Sequence, residues 1–227
     1  MRRPFFAEHD FFITIVTAAV SLFFFIACAD EQPRIVSEEV RAVFDYQNHD
    51  KPPVSRLSVF LNTGSDCRRI RQIRITHSAT GYEWIISDPV LIKSRDGQWC
   101  GSATLFPRYS ENILQGAYSF TCTDLAGRMV SGMFTVTYPV QLADATAEQA
   151  GRFIGSGGTE YIVLYAESGK MLYYGARKNN WNTEEAVWKE YSDAAEMRTC
   201  LLSADGLVVC LLPPVYRTYG TVKKQRG

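Results

Sequence analysis

The chain has 227 residues and carries 24 Lys plus Arg against 24 Asp plus Glu, a formal charge of zero. Such a balance argues against a nucleic-acid partner, because those binders draw much of their affinity from clustered cations that neutralise phosphates. The length suffices for one large domain or two small ones behind any leader.

The first element is the N-terminus. Arg2 and Arg3 precede a charge-free run from Phe11 to Ala29, and small residues stand at its end. A basic start, an apolar run and small residues before a cut describe a secretory signal peptide, while about 20 apolar residues also suffice for a spanning helix. Within that run, Phe25-Ile26-Ala27-Cys28 resembles the lipobox of bacterial lipoproteins, in which a small residue precedes the cysteine that becomes lipidated. Phe25 stands where an aliphatic residue is usual, a departure that spirochaete-type lipoproteins tolerate. The resemblance implies a leader over residues 1–27, acylation of Cys28, and an exported protein held by lipid at the cell membrane or outer envelope. An uncleaved helical anchor is the alternative, and it exports the remainder equally. Residues 28–38, which include Asp30, Glu31, Gln32 and Pro33, then form a tether with too little apolar surface to pack. Removing Arg2, Arg3, Glu8 and Asp10 with the leader leaves the charge balanced.

Residues 39–140 carry the two-residue period of strands. Leu57, Val59 and Leu61 alternate in "RLSVFLN", and short runs recur at "RIRQIRITH", "YEWII" and "QWCGSATLF". In "GAYSFTCTD" Tyr118, Phe120 and Cys122 fall on one face and Ser119, Thr121 and Thr123 on the other. Val130, Phe134, Val136 and Tyr138 share a face of the next run, after a link in which Gly127 supplies the positive φ of a hairpin turn. About six or seven strands separated by turn signals suggest an antiparallel β-sandwich. The stretch "LQGAYSFTCTDLAGR" resembles the penultimate strand and final hairpin of immunoglobulin-like or fibronectin-type modules of exported bacterial proteins. That resemblance implies a core Tyr118 whose hydroxyl returns to backbone. Trp84 and Trp99 are then the candidate core indoles.

After Tyr138 the period is lost, and residues 141–155 read as a linker or short helix. Residues 156–220 read as a small α+β unit, and 221–227 as a basic tail. The unit holds a hairpin turning at Glu167 to Lys170 and a helix over "NTEEAVWKEYSDA" capped by Asn182, with Val187, Trp188 and Tyr191 on its apolar face. A second hairpin, "CLLSADGLVVCLL", closes it. A three-residue loop Ala204-Asp205-Gly206 places Cys200 opposite Cys210 and predicts a disulfide there. Cys67, Cys100 and Cys122 remain, an odd number. Cys122 could bridge to either of the other two, and the sequence does not choose.

Chemistry-bearing motifs are scarce. "FIGSGGTEY" has the glycines of a phosphate cradle but precedes a strand, whereas a cradle opens a helix. His49 and His77 are the only histidines beyond the leader, and they lack zinc spacing and any Gly-x-Ser-x-Gly partner. The basic "CRRIRQIR" reads as a solvated strand face. No catalytic residue, metal ligand or cofactor site is expected. The expectation is a mainly β, membrane-anchored lipoprotein that binds or scaffolds another envelope or extracellular protein through loops or a sheet edge. One alternative is a carbohydrate or small-ligand module stacking on Trp84, Trp99 and Trp181, and the other is an enzyme with its site in the C-terminal unit.

Overall fold

The alternation seen between residues 39 and 138 does build strands, and the chain is mainly β. The structure, a computed structural model, describes residues 33–64, 66–95, 97–108 and 112–218. The leader, Cys28, most of the tether and the tail at 221–227 lie outside the described residues.

The strands are β1 (Ser37–Asp45), β2 (Val54–Asn62), β3 (Ile70–His77), β4 (Glu83–Ile86), β5 (Val90–Ser94), β6 (Gly97–Leu105), β7 (Gly116–Asp124) and β8 (Met129–Val136). Helix α1 (Ala147–Ile154) and strands β9 (Thr159–Ala166) and β10 (Met171–Gly175) follow. Helix α2 (Glu184–Glu190) then precedes β11 (Ala194–Leu202), β12 (Val208–Leu211) and β13 (Val215–Tyr216). They form two sheets. The larger runs β10-β9-β11-β12-β1-β2-β6-β5, with β13 also on β11, and the smaller runs β4-β3-β7-β8.

One apolar cluster draws on both sheets. Phe44, Leu57, Val59 and Leu61 come from the larger, and Ile73, Ile75, Tyr118, Phe120 and Cys122 from the smaller. Tyr118, Phe120 and Cys122 are buried on β7 while Ser119, Thr121 and Thr123 are partly exposed, as the two-residue period requires. Tyr118 Oη donates to the Leu114 carbonyl at 2.7 Å, so a core phenol is satisfied by backbone four residues upstream. Its ring lies parallel to Phe134 at 5.4 Å. Gly132 faces Phe120 across the β7–β8 pair, and a Cβ there would come within 2.4 Å of the ring, so only glycine leaves room for this phenyl. Gly127 has φ 79°, and the hairpin turns there.

The strands of residues 156–220 continue the larger sheet. β12 pairs with β1 in parallel, Ala42 opposite Val208 and Phe44 opposite Cys210. A second, smaller cluster of Ile162, Leu164, Trp181, Val187, Trp188, Ala194 and Met197 forms where α2 packs on this part of the sheet. Helix α2 starts at Thr183, whose hydroxyl accepts from the Ala186 amide; Asn182, expected as the cap, lies one residue outside it.

The predicted Cys200–Cys210 disulfide does not form. Ser203 donates its amide to the Val208 carbonyl, so the loop holds four residues, Ala204 to Leu207, instead of three. Cys200 then faces Leu211, and Leu201 faces Cys210. A one-residue slip puts the two thiols on opposite faces of the sheet. Cys210 enters the main core, whereas Cys200 is buried outside both clusters. Cys67, Cys100, Cys122, Cys200 and Cys210 are all free thiols.

Candidate functional site

β5 is the feature whose local structure is hardest to explain by folding alone. Pro89 leads into it, and Gly97 at φ 139° turns the chain back onto β6, with Ser94 opposite Gly97 and Leu91 opposite Cys100. Among the described residues no strand pairs with its other side, and β5 ends the larger sheet. All five of its residues are exposed, including Val90 (56%), Leu91 (46%) and Ile92 (43%). Adjacent side chains of a strand point to opposite faces, so three consecutive exposed aliphatics mean that neither face is covered. An open edge offers unpaired backbone N–H and C=O groups, and here apolar side chains flank them on both sides.

Trp99 sits opposite Ile92 on the neighbouring strand. With Phe60, Ile92 and Arg41 it lines a groove of about 340 Å³ on the sheet surface beside this edge. Glu39 pairs with Arg41, two residues further along β1, at 3.0 Å on the same side of the groove.

The other two candidate indoles, Trp84 and Trp181, are elsewhere. Trp84 donates from Nε1 to the Phe106 carbonyl at 2.7 Å and lines a hollow of about 290 Å³ with Tyr82, Arg108 and Leu114. Its ring meets Tyr82 edge-on, at 80°, so the two present no coplanar platform for a sugar. Trp181 is 1% exposed and cannot stack on a ligand from solvent. Instead Tyr173, Trp181 and Tyr191 box the Lys178 ammonium, each ring centroid 5.1–5.2 Å from Nζ. Glu190 closes that box: it accepts from Lys178 and, at 2.7 Å, from Trp181 Nε1. The three tryptophans are therefore not brought together.

His77 is buried against Tyr118. Its Nε2 donates to the Gln115 carbonyl at 3.2 Å, which leaves Nδ1 to accept from the Thr80 hydroxyl at 2.8 Å. His49 is exposed. The basic run is partly compensated on the surface, Arg68 by Asp66 at 2.6 Å and Arg74 by Glu83 at 3.1 Å. Arg68 holds the Asp66 carboxyl down at about 2. The glycine loop after Ile154 leaves α1 and enters β9, the reverse of the order a phosphate cradle needs. Among the described residues, no three His, Cys, Asp or Glu side chains converge as a metal ion would require.

Sequence reasoning missed β5 altogether. "VLIKS" between Asp88-Pro89 and Arg95 is a short β-branched run bounded by turn residues, and that signal was present. It also missed a cleft floored by Asp45, Arg56 and Arg198, which no spacing along the chain could have assembled. Comparison with known family models, with curated proteins and with solved structures found no match to this chain.

Proposed function

We propose that this chain is an exported lipoprotein, tethered to the cell membrane or outer envelope through an acylated Cys28, which binds another envelope or extracellular protein without catalysis. The observation that carries the reading is the exposed aliphatic edge strand β5. An incoming extended segment would add to β5 as a further strand, with main-chain hydrogen bonds for affinity and Val90, Leu91 and Ile92 for selectivity. Trp99 and Phe60 in the adjoining groove extend the apolar footprint.

The body that displays this edge is an immunoglobulin-like sandwich over residues 39–140, joined to a small α+β unit over 156–220. The Tyr118 hydroxyl bond to the Leu114 carbonyl supports the first, since such a corner locks entry into the penultimate strand. The packing of α2 on β9 and β11 supports the second.

Two measurements test the reading. A photocrosslinking residue placed at Leu91 should give one discrete adduct in cells that make the protein, while the same residue at exposed Thr135 on β8 gives none. Equal adducts at both positions, or none at Leu91, overturn the edge. Labelled fatty acid should enter the full chain and be lost in Cys28→Ala; persistent label overturns the anchor.

A further inference from the structure

We propose that the cleft floored by Asp45, Arg56 and Arg198 is a binding site for a small organic monocarboxylate, with Arg56 as the residue that receives it. The site is separate from the β5 edge, and goes beyond the protein-binding role.

The cleft has a volume of about 580 Å³, within the range that encloses small ligands. It opens where six stretches of chain meet, β12 and β13 contributing Leu211 and Tyr216. Asp45 ends β1, Arg56 lies on β2, Arg198 lies on β11, and Tyr165 with Glu167 comes from the end of β9 and its turn.

The two arginines are used very differently. Arg198 is pinned: Nε donates to the Leu212 carbonyl at 2.9 Å, and Nη2 reaches Asp45 Oδ1 at 2.7 Å and the Tyr46 and Leu211 carbonyls at 3.0 and 3.2 Å. It braces the ends of β1 and β12. Asp45 Oδ1 is engaged further by Gln47 Nε2 at 2.7 Å. Among the described residues Arg56 has one hydrogen bond, from Nη1 to the Ala103 carbonyl at 3.0 Å, and its Nη2 stands 3.6 Å from Asp45 Oδ2, beyond hydrogen-bond reach. A guanidinium has five N–H donors in a planar fork. Most of those on Arg56 are unspent, in a side chain only 15% exposed.

Charge points the same way. Two guanidinium groups share one carboxylate on a floor whose three side chains are 9–17% exposed, which leaves one positive charge in excess on the floor itself. Burial, opposed by Asp45 and reinforced by Arg198, lowers the Arg56 pKa, as an under-compensated cation requires. A carboxylate laid across the Arg56 fork would neutralise that excess through paired charge-assisted bonds.

The walls select what the carboxylate is attached to. Tyr165, Leu211 and Tyr216 supply apolar and aromatic surface, which suits a hydrocarbon or aromatic body. Around the walls stand Glu167, Glu196 and Arg217, a net negative rim that confines the positive excess to the Arg56 floor. A second or third negative charge on the ligand would meet those carboxylates. The selection is therefore for a single negative charge, and disfavours phosphate esters and polyacids.

Calorimetric titration of the full chain with N-acetyl-L-phenylalanine tests the site, with N-acetyl-L-phenylalaninamide and inorganic phosphate as controls. The expected result is saturable one-to-one binding with Kd below about 1 mM. The amide and phosphate should bind at least about tenfold more weakly, since each lacks one half of the recognition. Arg56→Gln should weaken the acid about tenfold or more, and Arg56→Lys less, because it keeps charge but loses the fork. Tyr216→Ala, at an exposed wall position, should weaken it several-fold while leaving the floor untouched. Absence of saturation, equal binding of acid and amide, or unchanged affinity in both Arg56→Gln and Tyr216→Ala would each overturn the proposal.

Discussion

The two apolar clusters are closed in opposite ways. The main one lies between two sheets and is sealed by its own size; two of its phenols turn to backbone, Tyr118 to the Leu114 carbonyl and Tyr138 to that of Ile113. The smaller one beside α2 has only one sheet to pack on, and its rim is made of Tyr173, Trp181 and Tyr191 around Lys178 and Glu190. A core that cannot bury enough area to exclude water completes its boundary with aromatic rings and a paired charge. Specificity thus resides in side-chain volume in the first cluster and in directional polar contacts in the second.

The largest test of that contrast is volume. Phe120→Ala should cost about 3–5 kcal/mol in denaturant unfolding while Thr121→Ala, on the opposite face of β7, costs little. Similar losses at the two positions would contradict the register. Alkaline pH comes next. Burial pushes the Cys100, Cys122 and Cys210 thiols of the main cluster up to about 12, each from an ordinary value near 9. Because the folded values are raised, their contribution is fully present below about pH 8.5 and is lost as pH climbs, since the unfolded chain gives up these protons first. By pH 9.5 the loss should reach about 1 kcal/mol per thiol, and Cys210→Ala should remove one share of that slope. A flat stability curve to pH 10 would mean the thiols are not enclosed.

A smaller change has the opposite sign. The Tyr46 hydroxyl is the one buried side-chain oxygen among the described residues that has no hydrogen-bond partner. Tyr46→Phe should therefore stabilise by about 1 kcal/mol, and a loss on this substitution would show that the hydroxyl is satisfied. The smallest effect belongs to the second cluster's rim. Lys178→Ala should lower the melting temperature slightly, less at high salt than at low, because the interaction is exposed and screened. A drop as large as that of Phe120→Ala would erase the distinction between the two clusters.

The readable parts of the fold are local. Alternation in "GAYSFTCTD" gave the buried face of β7, and Gly127 marked the turn, because period and positive φ are properties of neighbouring residues. What was not readable depended on one residue of loop length or on distant partners. Ser203 closes a four-residue loop with its side chain as well as its amide, and that single step moved Cys200 away from Cys210. Thr183 competed with Asn182 for the helix cap, and both are good cap residues. The Arg198–Asp45 contact spans 153 positions of sequence. Arg198 looks like an ordinary polar strand residue until β1 and β12 lie side by side, and with it the whole cleft stays invisible.

The parallel pairing of β1 with β12 also governs the order in which the molecule can be made. β1 takes β2 on one side, and must then wait with Ala42, Val43 and Phe44 on an open edge until residues 208–211 arrive. Parallel partners so far apart in sequence are late and slow to join. Until then this edge stays uncovered, so a holding chaperone, or fast delivery of the C-terminal third, would decide how much of the protein folds and how much aggregates. Cutting the chain after Tyr138 would make that interval permanent.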